Sequence, residues 1–195
     1  MRVALLASIL CIVYTSGIAQ ISFGVKAGYN SNFYITKVDY FVGPPTNLSS
    51  NGGGYFLGTF INLPVSKKFS FTPELQFSKR GGAYFSDNYL ELPVLATFSP
   101  YKLLSFDLGV TTGLFLSSDV KFKVNSSFDF GLSSGFRVNL SKQFSLIGRY
   151  YFGITPARSI TDFTITYNGI TLDPSAKSWD EYNRTIQIGI GYKIK

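Results

Sequence analysis

Residues 104–116, Leu-Ser-Phe-Asp-Leu-Gly-Val-Thr-Thr-Gly-Leu-Phe-Leu, put Leu104, Phe106, Leu108, Val110, Leu114 and Leu116 on one parity. Ser105, Asp107, Gly109, Thr111 and Gly113 fall on the other. Period-two alternation of this kind marks a strand whose faces meet different surroundings. The pattern recurs along the chain. Ile21, Phe23, Val25, Ala27, Tyr29 and Phe33 oppose Ser22, Gly24, Lys26, Gly28 and Asn30. Phe128, Phe130, Leu132, Phe136, Val138 and Leu140 oppose Asp129, Gly131, Ser133, Gly135, Arg137 and Asn139. Near the end, Ile186, Ile188, Ile190, Tyr192 and Ile194 oppose Thr185, Gln187, Gly189, Gly191 and Lys193. Four noisier segments, Gly52 to Leu63, Phe69 to Arg80, Tyr89 to Ser99 and Gln143 to Thr155, complete an expected set of eight strands. In these, Phe56, Phe60 and Leu95 fall on the otherwise small and polar parity.

The connections alternate in length. Long links at Lys37 to Asn51, Gly81 to Asn88, Ser117 to Asn125 and Pro156 to Glu181 take turns with short ones at Pro64 to Lys68, Pro100 to Lys102 and Ser141-Lys142. An even number of antiparallel strands with tight turns at one rim and long loops at the other is the layout of an outer-membrane barrel with both termini in the periplasm. Each segment is also about the 9–11 residues that a tilted strand needs to cross hydrocarbon. The expected fold is therefore all-β, an eight-stranded antiparallel up-and-down transmembrane β-barrel.

A soluble lipocalin-like barrel would turn its apolar face inward, but Phe, Leu, Ile and Tyr from every strand exceed what an eight-stranded lumen holds. Facing lipid, the same residues need no lumen, and Gly, Ser and Thr on the other face suit a narrow interior. The sheet must then close, because an open edge would leave unpaired backbone groups in hydrocarbon. Tyr29, Phe33, Tyr89, Phe98, Phe144, Tyr150, Phe152 and Tyr192 are expected to form aromatic girdles at the two interfaces. Asn51-Gly52-Gly53-Gly54 lacks the Gly-Lys-Ser/Thr of a phosphate loop and is expected to be a hinge between loop and strand.

Composition narrows the chemistry. Of 195 residues 17% are aromatic and 15% charged, and the absence of His excludes His-based triads and His metal sites. No cofactor, metal or catalytic set is indicated. Met1-Arg2, the apolar run from Val3 to Tyr14 and Gly17-Ile18-Ala19 predict a secretory signal over residues 1–19, with the barrel domain over 20–195. That signal would take with it the single cysteine, Cys11, leaving neither a disulfide nor a thiol nucleophile. Positive charge is spread without a Lys/Arg cluster, so nucleic acid is not an expected partner.

Lys26, Glu74, Glu91, Asp107, Asp129, Arg137, Arg149 and Lys193 share the inward parity, four acids and four bases. A polar channel or a carboxylate pair such as Glu74 with Glu91 is one reading. The favoured one is a network of paired charges that fills the lumen, since unpaired buried charge is costly.

Thr72-Pro73-Glu74-Leu75-Gln76-Phe77-Ser78-Lys79-Arg80-Gly81, followed by Tyr89-Leu90-Glu91-Leu92-Pro93-Val94-Leu95, resembles the PorT-like family of outer-membrane β-barrel proteins common in Bacteroidota. Phe23 to Asn30 and Gly131 to Gly135 are similar to that family too. The resemblance implies fold and location rather than an activity. Gln187, Gly189, Tyr192 and Ile194 follow the terminal pattern read by the barrel-assembly machinery. The leading expectation is a non-enzymatic integral barrel, surrounded by outer-membrane lipid and lipopolysaccharide, whose surface loops carry any interaction. A lipid-modifying enzyme, a small porin and a secretion-associated PorT-like component are the alternatives.

Overall fold

The computed structural model describes residues 21–40, 46–82, 85–119, 128–161, 165–167, 170–172 and 176–194. The expected signal and its junction at Gln20 lie outside them. The strands are β1 (Ser22–Tyr40), β2 (Thr46–Pro64), β3 (Phe69–Gly81), β4 (Ser86–Phe98), β5 (Leu104–Ser118), β6 (Phe128–Asn139) and β7 (Phe144–Gly153), then short β8 (Arg158–Thr161), β9 (Ile165–Tyr167) and β10 (Ile170–Leu172), and long β11 (Ala176–Lys193). From β1 to β7 each pairs with the next, and β11 pairs with β7 on one side and β1 on the other. The result is a closed antiparallel barrel of eight long strands. The β1–β11 seam runs without interruption from Gly24↔Lys193 to Asp39↔Ser178.

Alternation decides which side chains meet lipid. Leu108 is 65% exposed and Ile188 64%, and Ile21, Leu57 and Ile190 join them on the outer surface. Exposed apolar area on this scale is stable when hydrocarbon rather than water surrounds it. On the opposite parity Asn30, Thr72, Ser78 and Thr185 are fully enclosed.

The lumen is not lined by small residues alone. Phe56, Phe60 and Leu95 are buried inside it, with Tyr34, Tyr89, Ile147 and Tyr151. Glycines make the room. A Cβ on Gly28 or Gly189 would come within 2.6 Å of the Phe56 ring, and one on Gly24 within 2.5 Å of the Phe60 ring. The inward glycines of β1 and β11 are thus the sockets into which the large rings of β2 project.

Two connections differ from expectation. Residues 37–40 and 46–51 continue β1 and β2, pairing as far as Val38↔Thr46, so the Gly52-Gly53-Gly54 run lies within β2 and is no hinge. Gly54 is needed there because the Lys79 carbonyl oxygen sits 1.9 Å from where its Cβ would be. The segment from Pro156 to Glu181 carries β8, which pairs with the start of β11 through Glu181↔Arg158, and the β9–β10 hairpin. These extensions lie beyond the ends of β3 to β7 and raise one side of the sheet above the barrel. Pro73 and Pro93 lack N–H donors. Accordingly the β3–β4 register passes from Pro73↔Val94 directly to Gln76↔Glu91.

Replacing Ile188 by Lys puts a charge on the lipid face in mid-strand and is expected to cost about 2–4 kcal/mol. Asn47→Lys, at an exposed position of the β2 extension, should change stability by less than about 0.5 kcal/mol. Denaturant titration of both variants in lipid vesicles, followed by gel mobility, measures the difference.

Candidate functional site

The inward parity of β1, β3, β4, β5, β6 and β7 brings charged side chains into one column along the barrel axis. Nearest the short turns, Arg137 donates through Nη2 to Asp107 Oδ2 at 3.1 Å, and Thr97 Oγ1 donates to Asp107 Oδ1 at 2.7 Å. Arg149 lies next, 3.9 Å from Asp107, and grips Glu74 with two donors at 2.6 and 2.9 Å. Such fork-to-carboxylate geometry is the strongest form of this pair. Lys26 donates to both Glu74 and Gln76, and the Gln76 amide donates in turn to Glu91. Gln76 is the neutral link between two carboxylates that would otherwise repel across neighbouring strands.

Arg80 forms the next node. It pairs with Glu91 and with Asp129, the latter at 2.8 Å, while its guanidinium lies 5.0 Å from the Tyr89 ring centre and 4.5 Å from that of Tyr151. Asn183 donates to Asp129 at 2.7 Å. Arg80 is 1% exposed, so two carboxylates and two aromatic faces stand in place of water around its guanidinium, with Nε left unpartnered. Above it Arg158 pairs with Asp87, stands 3.9 Å from Glu181, and lies over the Phe85 ring at 3.8 Å.

Of the residues singled out by parity, Lys26, Glu74, Glu91, Asp107, Asp129, Arg137 and Arg149 share this column. Lys193 does not. It is exposed at the short-turn rim, because β11 ends there and its last inward position faces the mouth of the barrel rather than its interior. Tyr89 is also corrected: it is 1% exposed and lies in the lumen, on the same parity of β4 as Glu91 and Leu95, so it cannot belong to a girdle. Outward rings do gather at the short-turn rim, where Phe69 meets Phe98 at 4.8 Å and Phe144 meets Tyr192 at 5.0 Å.

Sequence reasoning missed Arg80, Gln76, Asp87, Arg158 and Glu181. For Arg80 and Gln76 the signal was present, since both share the parity of Glu74, and Asp87 shares that of Glu91. Arg158 and Glu181 lie in a segment without alternation, and only the pairing of β8 with β11 sets them facing the lumen. Among the described residues, no group of three or more metal-ligating side chains converges on one point.

Solved structures with the same architecture include OprG from Pseudomonas aeruginosa, an outer membrane protein 14% identical over 89% of this chain and 95% of its own, with a TM-score of 0.54. Neisserial surface protein A is 14% identical over 89% of this chain and 98% of its own, with a TM-score of 0.48. Ail, the attachment invasion locus protein of Yersinia pestis, is 12% identical over 89% and 98%, with a TM-score of 0.45. At these identities the likeness to OprG is one of fold. Among curated proteins none matches the chain in sequence. Residues 16–159, well over half of the chain, match the outer membrane protein beta-barrel domain family. The chain belongs to that family, and is an integral β-barrel protein of the outer membrane.

Proposed function

We propose that the protein is a non-enzymatic barrel whose lumen is closed by its own ion pairs and whose long loops, at the rim opposite the short turns, carry its interactions outside the cell. The single observation that supports this is the unbroken column from Arg137 to Asn183, in which each carboxylate is engaged by a cation or an amide. Groups committed in this way are poor acids, bases or nucleophiles. Both termini and the short turns face the periplasm in this reading, as in other barrels with an even number of strands. Outer-membrane lipid and lipopolysaccharide surround the apolar belt, and the barrel-assembly machinery reads Gln187, Gly189, Tyr192 and Ile194 of the closing strand. The resemblance to the PorT-like family fits this picture as a matter of fold and location, and no role in secretion is transferred with it.

In planar bilayers the protein should show no steady, porin-sized conductance, and a stable large current would falsify the closed lumen. A cysteine at Asn47 should react with an impermeant maleimide on intact cells, whereas one at Ser141 should react only after the outer membrane is opened; the reverse pattern would invert the topology. Arg80→Leu leaves Glu91 and Asp129 without their shared cation and is expected to cost about 3–5 kcal/mol, measurable by denaturant unfolding. Arg149→Leu should cost less, because Lys26 remains beside Glu74 and Arg137 beside Asp107.

A further inference from the structure

Charge is not balanced along the axis. In the half of the lumen nearer the short turns, Lys26, Arg137 and Arg149 form direct ion pairs with two carboxylates, Glu74 and Asp107. In the other half Arg80 and Arg158 face Glu91, Asp129, Asp87 and Glu181. The short-turn half therefore holds a surplus cation, and the mouth above it adds more. A cavity of about 260 Å³ opens there, with Lys67, Lys68, Lys142 and Lys193 at its rim and Arg137 at its floor. Among the described residues no carboxylate lines it; its other polar lining is serine, threonine and amide, including Ser105, Ser145 and Asn62.

Arg137 is the built element of this cup. Its side chain is only 10% exposed, it rests near the Phe60 ring, and it donates to one oxygen of an Asp107 that Arg149 also approaches. Its Nε has no hydrogen-bond partner. A buried guanidinium with spare donors, at the base of a ring of lysines and hydroxyls, matches a compact multiply charged oxyanion, because phosphate oxygens accept from such donors and neutralise several cations at once. The volume is just below the roughly 300–1,000 Å³ of pockets that enclose drug-sized ligands, which suits a single phosphate-bearing group.

We propose that the short-turn mouth is an oxyanion cup that takes a phosphate group, with Arg137 as its floor and Lys68, Lys142 and Lys193 as its rim. The phosphate comes either from a soluble compound on the aqueous side or from a lipid headgroup folded over the rim. Both sources share the chemistry and the test separates them.

The full chain in maltoside micelles, which carry no phosphate, is titrated with inorganic pyrophosphate by calorimetry at low ionic strength. Saturable binding that weakens as salt is raised is expected. The triple variant Lys68→Gln, Lys142→Gln, Lys193→Gln alters only exposed rim positions, and should lose roughly tenfold or more in affinity while keeping heat-modifiable gel migration. Arg137→Gln should weaken binding too; if it does not fold, the triple variant decides. Loss of pyrophosphate binding in phosphatidylglycerol nanodiscs would assign the cup to lipid headgroups, and unchanged affinity there would assign it to soluble phosphates. Absence of binding to the wild type in the phosphate-free micelles, or equal affinity in wild type and triple variant, overturns the proposal.

Discussion

The guanidinium of Arg80, enclosed by Glu91, Asp129, Tyr89 and Tyr151, expresses the constraint on which the interior depends: a charge in a narrow lumen must touch at least one group of opposite sign, even where that group is shared. With Asn183, which donates to Asp129, five strands contribute to that one cluster. Its members are fixed relative to each other only if β3, β4, β6, β7 and β11 keep their registers. Shifting any strand by a single residue would send its charges to the lipid face and its leucines inward. The ion pairs thus specify the register of a sheet whose outer face, a belt of interchangeable Leu, Ile, Val and Phe, specifies it weakly.

Packing and charge share the interior by side, at the same height: Phe60 is level with Glu74. Where β1 and β11 present glycine inward, rings from β2 fill the space, and where β3 to β7 present long polar side chains, the ion-pair column does. Lys26 joins the two systems, since its ammonium pairs with Glu74 and also lies 5.3 Å from the centre of the Phe56 ring. Asn30 makes a second join. It donates to Ser78 at 2.8 Å and to the Lys79 carbonyl at 3.1 Å while accepting from Gln187 at 3.1 Å, and so ties β1, β3 and β11 together across the lumen.

Fold and membrane face were legible in the sequence because alternation is a property of every residue in a strand. Leu104 to Leu116 shows it cleanly, and most strand ends at the short-turn rim follow from the tight links. Charge partners were legible only as a set. Parity gathers Glu74, Glu91 and Arg149 on one surface, but whether Arg149 reaches Glu74 or Glu91 depends on stagger and barrel diameter, which no local pattern carries. Phe56 and Phe60 read as noise for the same reason: their sockets are Gly28 and Gly24, the residues paired opposite them on β1, together with Gly189 of β11, and only the register of the closed sheet brings ring and glycine together. The β8 pairing and the long reach of β1, β2 and β11 above the barrel escaped because those segments have polar residues on both faces and no period to read.

The seam between β1 and β11 joins Gly24 to Lys193, so the first strand waits for nearly the whole chain before it finds its second neighbour. Contacts this remote in sequence make for slow folding, since the loop-closure entropy is lost before the pairing repays it. Until β11 arrives, two strand edges and a half-built column of charges stand open. A chain cut short before Ala176 would keep seven barrel strands and much of the Arg80 cluster, yet would have no means of ending the sheet. Completion of this barrel is therefore a single late event, governed by the last eighteen residues of strand.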